Sequence, residues 1–311
     1  MDPSLAAAGT RKRDPAPKAG GDCRGGDHAE KSFDGQDLRG VDLSHARLSR
    51  ASFRGARLDG AKLDGALCDE ADFADASLLG ASFAGANLTR AKLLRVTADG
   101  LVLNRASAEE ADLREARLTE ARLEEVLLRA ARLDGASLER ATLVRCIAGD
   151  ASLEKVDLRR ATIEHCLFLA AKAPGVRLEG ATISLTSFAG AILDGADLRE
   201  VSAEACSFLG ARLGGADLRN ARLAGAFFVK AELTSARFAG ADLKGARFSD
   251  AVLRQADLRG ADLMEADLSR SVLEEATLQG SNAYGALFFD ARGHGARLDG
   301  ANLTRSFPEA T

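Results

Sequence analysis

The chain has 311 residues, 42 Lys and Arg against 46 Asp and Glu, a net charge of −4, no Trp and a single Tyr. That balance provides no global attraction for nucleic acid or an anionic membrane surface, and no run of 18 or more apolar residues is present to cross a bilayer. Ala, Leu, Gly, Arg and Asp dominate, a palette so narrow that internal repetition is the first thing to test.

Residues 1–30 are rich in Gly, Pro, Ala and charge and read as a disordered tail. Their one apolar run, Leu5 to Ala8, is too short for a Sec signal peptide and precedes its basic cluster, Arg11-Lys12-Arg13, in the wrong order. A cytoplasmic location is therefore expected, with export by a specialised machine left open. The basic cluster reads as part of a solvated tail rather than a nucleic-acid patch.

From Lys31 the chain divides into fives, KSFDG, QDLRG, VDLSH, ARLSR, ASFRG, and the phase holds without insertion to ANLTR, ending at Arg305. In 47 of these 55 units the middle residue, the centre, is Leu, Phe or Ile, and in 40 Ala stands two residues before it. No helix accounts for this, because a five-residue period rotates the apolar positions by about 140° per step and leaves no apolar face. A simple strand repeats every two residues. The chain must instead turn once per five, with the centre and the small residue pointing inward and Gly, as at Gly35, Gly40, Gly55 and Gly60, frequent at the corner.

The number of sides follows from which centres repeat. Phe occupies centres 168, 188, 208, 228, 248 and 288, with Leu268 in the gap, and also 33, 53 and 73. Cys146, Cys166, Thr186 and Cys206 form a second column with the same lag of twenty. Four fives per coil give that lag; three would give fifteen, at which Phe168 meets Ile183.

Units such as ADLKG at 241–245, ADLRG at 256–260 and ANLTR at 301–305 resemble the pentapeptide-repeat proteins. The resemblance implies an all-β fold, a right-handed four-sided parallel β-solenoid. With four fives per coil it has about 14 coils and is roughly 65 Å long at the usual strand spacing. Three regions are expected: the tail 1–30, the solenoid 31–305 and a C-terminal cap 306–311. Phe168, Phe188, Phe208, Phe228, Phe248 and Phe288 form the expected core ladder. Eight centres are not large: Cys68, Ala98, Ala108, Ala148, Ala173, Ala203, Ala283 and Gly293. AKAPG at 171–175 is read as a bulge or kink, since Pro174 cannot donate to a ladder. Ser306-Phe307-Pro308 ends the pattern, with Phe307 placed to plug the last coil.

Little catalytic chemistry is encoded. Cys23 falls in the tail, and Cys68, Cys146, Cys166 and Cys206 take inward positions, where cysteine acts as a small apolar residue. Cys146 and Cys166 fall one coil apart, within reach of a disulfide, but a reduced pair is expected in a chain without export signals. His45 and His165 share a face six coils apart, about 29 Å. No cysteine and histidine spacing suits zinc, and no nucleophile elbow or phosphate loop is present. No catalytic, cofactor-binding or metal-binding residue is expected.

Function then falls to the outward faces. Side two alternates charges around its centres, as in Asp37/Arg39, Asp157/Arg159, Asp197/Arg199, Asp217/Arg219 and Asp257/Arg259, and reads as a solvated face. Side four carries Leu67, Leu127, Ile147, Leu167, Leu169, Leu209, Phe227, Val229, Leu287 and Phe289 at outward positions. An apolar stripe on a soluble rod marks an interface, with Leu127, Ile147, Leu167, Leu169, Leu209, Phe227 and Val229 at its heart. The expected role is a non-catalytic protein-interaction scaffold or self-associating rod, homodimer included, with neither membrane nor nucleic acid as a direct partner. Residues 261–282, ADLMEADLSRSVLEEATLQGSN, resemble arrays found beside bacterial secretion machinery. The alternative the family implies is a DNA mimic that protects or inhibits DNA gyrase or another topoisomerase. Such a role needs a continuous acidic face, and Arg114, Arg117 and Arg122 interrupt the acidic run from Glu109 to Glu125.

Overall fold

The computed structural model describes residues 16–307. Every isolated bridge joins residues twenty apart in parallel, from Asp22 with Asp42 to Leu287 with Phe307. Side by side on side three lie β1 (Arg122–Glu124), β2 (Thr142–Val144), β3 (Thr162–Glu164) and β4 (Thr182–Ser184), paired in that order with the same twenty-residue register. No helix is present among the described residues.

The backbone hydrogen bonds explain the repeat residue by residue. In the five from Val41 to His45, Asp42 N–H donates to Gly21 O of the previous coil at 2.9 Å, while Leu43 and His45 donate to Lys62 O and Asp64 O of the next, at 2.7 and 2.8 Å. Ala46 N–H closes the corner onto Leu43 O at 3.0 Å. One amide remains, that of the residue after the centre. Ser44 N–H donates to Asp42 Oδ1 at 3.0 Å, and elsewhere an Asp one coil back takes the role, as Asp34 does for Arg54 N–H at 3.0 Å. This satisfied amide is why Asp or Asn so often precedes the centre.

Each corner places its second residue in the left-handed region, at every fifth position from Gly20 to Arg305, with φ between 48° and 73°. A type II turn demands this and favours Gly there. Non-glycine residues occupy many of these corners all the same, Arg50 at 57° and Leu185 at 48° among them.

Inside, the centres stack coil upon coil. Phe168, Phe188, Phe208, Phe228 and Phe248 lie nearly parallel with ring centroids 4.9–5.3 Å apart, and Phe33, Phe53 and Phe73 do the same at 5.0 Å. Phe83 and Phe238, on other sides, meet these stacks edge-on. Of the eight small centres, all but Gly293 are buried. Each buried Leu or Phe contributes about 1.5–3 kcal/mol, and because each coil touches chiefly its neighbours, stability accumulates along the rod.

Three expectations are corrected. The solenoid starts before Lys31. Cys23 and His28 are buried centres, and Asp22 and Asp27 already bridge to Asp42 and Arg47. The five-residue phase runs through this Gly-rich stretch although its centres are not Leu or Phe, so composition concealed it. The basic cluster at 11–13 lies outside the described residues. Pro174 makes no kink: it is the first corner residue, whose amide never enters the ladder, and Gly175 follows at φ 66°. The corner closes normally, with Val176 N–H on Ala173 O at 3.2 Å. Phe307 does not plug the core. It occupies an outward position, bridged to Leu287, and is 66% exposed.

One region departs from the regular corner. The corners after Leu123, Leu143, Ile163 and Ile183 are bends without the closing bond. The four share one inward column, Val126, Cys146, Cys166 and Thr186, stacked coil on coil; bulk alone does not open a corner, since Val41 and Leu101 keep closing bonds of 3.1 Å. Closing bonds to Ala46 and Ala51 measure 3.0 and 2.9 Å, those to Val96 and Cys206 stretch to 3.4 Å, and at Val126, Cys146, Cys166 and Thr186 the bond is gone. Side chains replace it. Cys146 N–H donates to Cys166 Sγ at 3.4 Å and Cys166 N–H to Thr186 Oγ1 at 3.2 Å. The thiols of Cys146 and Cys166 donate to Leu123 O and Leu143 O at 3.2 and 3.5 Å, and the Thr186 hydroxyl to Ser184 O at 2.9 Å.

Candidate interaction surface

The open corners lead directly onto side four at the levels of Leu127, Ile147, Leu167 and Ser187. There the bridges stack Leu127 on Ile147 and Ile147 on Leu167. These three and Leu169 are 38–44% exposed, a high value for side chains that in a solvated face would be polar. Gly149 and Ala189 flank Leu169 in its own column, and Ala130, Asp150, Ala170, Gly190 and Gly210 line the adjoining corner, so Asp150 is the one charge at the centre of the side. Leu185, 64% exposed at the opposite corner, extends it.

The remaining stripe residues are less uniform. Leu209 is exposed, but Phe227 is half-buried beneath the Arg247 guanidinium, 5.2 Å from its ring centroid, and Val229 is half-buried. Ser187 and Ser207 separate Leu167 from Phe227. Leu67 lies well below the patch, and Leu287, Phe289 and Phe307 form a separate cluster at the C-terminal end. Geometry therefore concentrates the candidate surface on Leu127, Ile147, Leu167 and Leu169.

Side two is polar apart from Leu79, itself 41% exposed, and Ala239. Asp37, Asp157, Asp197, Asp217 and Asp257 each hold the arginine two residues on at 2.6–2.7 Å. Hydrogen bonding from Arg39 holds the Asp37 carboxyl down at about 2, and Arg199 and Arg259 lower Asp197 and Asp257 in the same way. A shallow depression of about 270 Å³ at its corner is lined by Glu139, Arg159, Arg160, Glu179, Gly180 and Glu200, three acids against two bases with no apolar floor.

Reading charges within a coil misses a second pattern that runs along the rod. At corners, signs alternate between successive coils: Arg50 lies 3.7 Å from Glu30 and 3.0 Å from Glu70, and Arg90 lies 3.7 Å from Glu70. Glu125 is gripped at 3.0 Å by both Arg105 and Arg145, and Asp250 by Arg270 at 2.8 Å. The signal was available at a lag of twenty.

Nothing gathers into a reactive centre among the described residues. No group of three or more His, Cys, Asp or Glu residues is placed to hold a metal. All five cysteines are buried, and burial drives the Cys68 thiol far above its ordinary range. His28 is a core residue, edge-on to Phe33 at 5.9 Å.

The repeat register and its twenty-residue ladder decide the family. The Pentapeptide repeats family matches the chain in overlapping segments from residue 22 to 160 and from 196 to 305. The chain belongs to the pentapeptide-repeat family. Its fold is the right-handed quadrilateral β-helix of that family. The one interior stretch without a match, 161–195, holds Leu167, Leu169 and Leu185. Among solved structures, HetL, a pentapeptide repeat protein involved in heterocyst differentiation regulation from the cyanobacterium Nostoc sp. strain PCC 7120, is 27% identical over 91% of this chain and 92% of that one, with a TM-score of 0.23. Rfr23 from the cyanobacterium Cyanothece 51142 is 28% identical over 30% of this chain and 61% of that one, with a TM-score of 0.28. QnrB1, a plasmid-mediated fluoroquinolone resistance protein, is 18% identical over 50% of this chain and 92% of that one, with a TM-score of 0.27. None of these superpositions is close enough to transfer a role. No curated protein matches the chain. No helix among the described residues is long and apolar enough to cross a membrane.

Proposed function

We propose that this chain is a non-catalytic protein-interaction scaffold and that side four, around Leu127, Ile147, Leu167 and Leu169, is its binding surface. The observation that carries the reading is the coincidence of three features on one stretch: exposed aliphatic side chains stacked in register, an adjoining corner of Ala and Gly with Asp150 as its one charge, and open corners held by the Cys and Thr column beside it. Flat β-surfaces of this kind bury well against another flat surface, and a few central aliphatic anchors supply most of the energy.

Ile147→Glu with Leu167→Glu places two charges on the surface without touching the core, since both side chains point outward. The doubly substituted rod should keep its circular dichroism and melting profile and lose association, with itself or with a host protein, by sedimentation and pull-down. Undiminished association would end the proposal. The competing reading, mimicry of DNA at gyrase, finds less support, because the arginine beside each acid on side two neutralises the face such mimicry needs.

A further inference from the structure

The corner that closes side four carries one residue per coil, and its charges are antisymmetric about Ala170. Three coils away on either side stand Glu110 and Lys230; four coils away, Arg90 and Asp250. Five coils away are Glu70 and Arg270, and six coils away Arg50 and Asp290. Every couple is of opposite sign. Between them the corner is Ala130, Asp150, Ala170, Gly190 and Gly210, beside the exposed aliphatic patch.

We infer that the occupant of side four is a second copy of this chain, laid antiparallel about a two-fold axis that crosses the rods at the level of Ala170. This rests on the reading of side four as a binding surface. A two-fold of that kind sets each column of side four against its own counterpart with the direction of the rod reversed. Leu167 and Leu169 then sit at the axis, with the small Gly149 and Ala189 leaving room beside them. Outward, each of the four couples becomes a pair across the interface, and by symmetry each occurs twice. The paired charges span twelve coils, roughly 58 Å at ordinary strand spacing.

In the other outward columns of side four no like charges meet in this register: Arg129 falls opposite Leu209, Glu109 opposite Val229, Arg47 opposite Leu287 and Leu67 opposite Asp267, while Ile147 and Leu127 face Ser187 and Ser207. The register is set apart from one-coil slips, whereas a slip of two coils keeps opposite signs in fewer couples, as in Glu110 with Arg270 and Arg90 with Asp290. A slip of one coil in one direction sets Arg90 against Arg270 and Glu70 against Asp290. A slip in the other sets Arg50 against Arg270 and Arg90 against Lys230. The apolar centre supplies the adhesion, and the alternating corner charges reject the one-coil slips, the division of labour expected of charge at an interface. Within one rod Arg50 already bonds Glu70 at 3.0 Å and Arg270 bonds Asp250 at 2.8 Å. These exposed pairs extend into the partner's alternating column rather than having to break.

The test is a charge swap in the full chain, read by sedimentation equilibrium. Lys230→Glu with Arg270→Glu should weaken self-association about tenfold or more, because acids then face Glu110 and Glu70 of the partner. Glu70→Arg with Glu110→Lys should weaken it similarly, with bases facing Lys230 and Arg270. An equimolar mixture of the two variants restores every pair, and its affinity should return to within about threefold of the parent. The mixture is decisive because any damage to surface ion pairs within a rod persists in it. A mixture no tighter than its components, or a parent chain that stays monomeric up to about 100 μM, a ceiling set by the micromolar affinity of a modest interface, overturns the inference. If the parent is monomeric while Ile147→Glu with Leu167→Glu abolishes binding of a host protein, side four remains the binding surface and only its self-pairing fails.

Discussion

Leu218→Lys tests the register of the whole solenoid at one point. Leu218 is a fully buried centre, stacked between Leu198 and Phe238 one coil below and above, with its amide bonded to Arg237 O at 2.7 Å. Removing the buried aliphatic group forfeits about 1.5–3 kcal/mol. The ammonium that replaces it finds only Leu, Phe and Ala neighbours, so it must either open the coil or give up its proton. Deprotonating a lysine of ordinary pKa near 10.4 at pH 7 costs about 4.6 kcal/mol. The loss should therefore exceed about 3 kcal/mol and approach 7 if the coil stays closed. Arg219→Ala, the next residue along, removes an outward side chain whose partner Asp217 keeps Arg237 at 3.3 Å, and its melting midpoint should not move. Urea titration followed by circular dichroism, with Leu218→Met as the volume-conserving control expected to cost under about 1.5 kcal/mol, reads all three. Equal losses for Leu218→Lys and Arg219→Ala would refute the assignment of inward and outward positions along the chain.

Thr186→Val keeps the shape of the side chain but takes away the acceptor for the buried Cys166 amide, 3.2 Å away, and thermal unfolding should show a cost of about 1–3 kcal/mol; an unchanged midpoint would mean the side-chain column is not what holds the open corners. Gly65→Ala should cost about 1–2 kcal/mol, since the corner sits at φ 65° and a Cβ would lie 2.5 Å from the His45 ring nitrogen; a pairing with His45→Ala should recover part of it. Acid should destabilise the rod below pH about 4. The Asp37 carboxyl sits at about 2 when folded, and Asp75, Asp112 and Asp250 are lowered by Arg95, Arg114 and Arg270, so their stabilisation is present above the unfolded value near 3.9 and is lost as pH falls through the folded ones. A melting temperature flat from pH 6 to about 2 would contradict this. In a supercoiling assay with and without a quinolone, the chain should neither inhibit nor rescue gyrase at sub-micromolar concentration; a dose-dependent effect would reverse the ranking of the two functions.

The sequence by itself determined the solenoid, its four sides and its inward and outward positions, because a five-residue period admits no other packing and stacked coils repeat their side chains at a fixed lag. The Phe168 to Phe248 stack and the exposure of Leu127, Ile147, Leu167 and Leu169 follow from that arithmetic alone. Tertiary structure decided what depends on individual amides and on stacking. Pro174 fits its corner because that one amide never joins the coil-to-coil ladder and is elsewhere met only by side chains, a fact invisible until every hydrogen bond of the coil is assigned. The start of the solenoid among Cys23 and His28 was hidden because stacking on Phe33 and the coil above buries residues that no hydrophobicity pattern would select. The open corners beside side four fall on one stacked inward column, Val126, Cys146, Cys166 and Thr186. In sequence these residues look like tolerated variants of Ala. In the coil their closing bonds are missing, and Cys166 Sγ and Thr186 Oγ1 accept the amides of Cys146 and Cys166 instead.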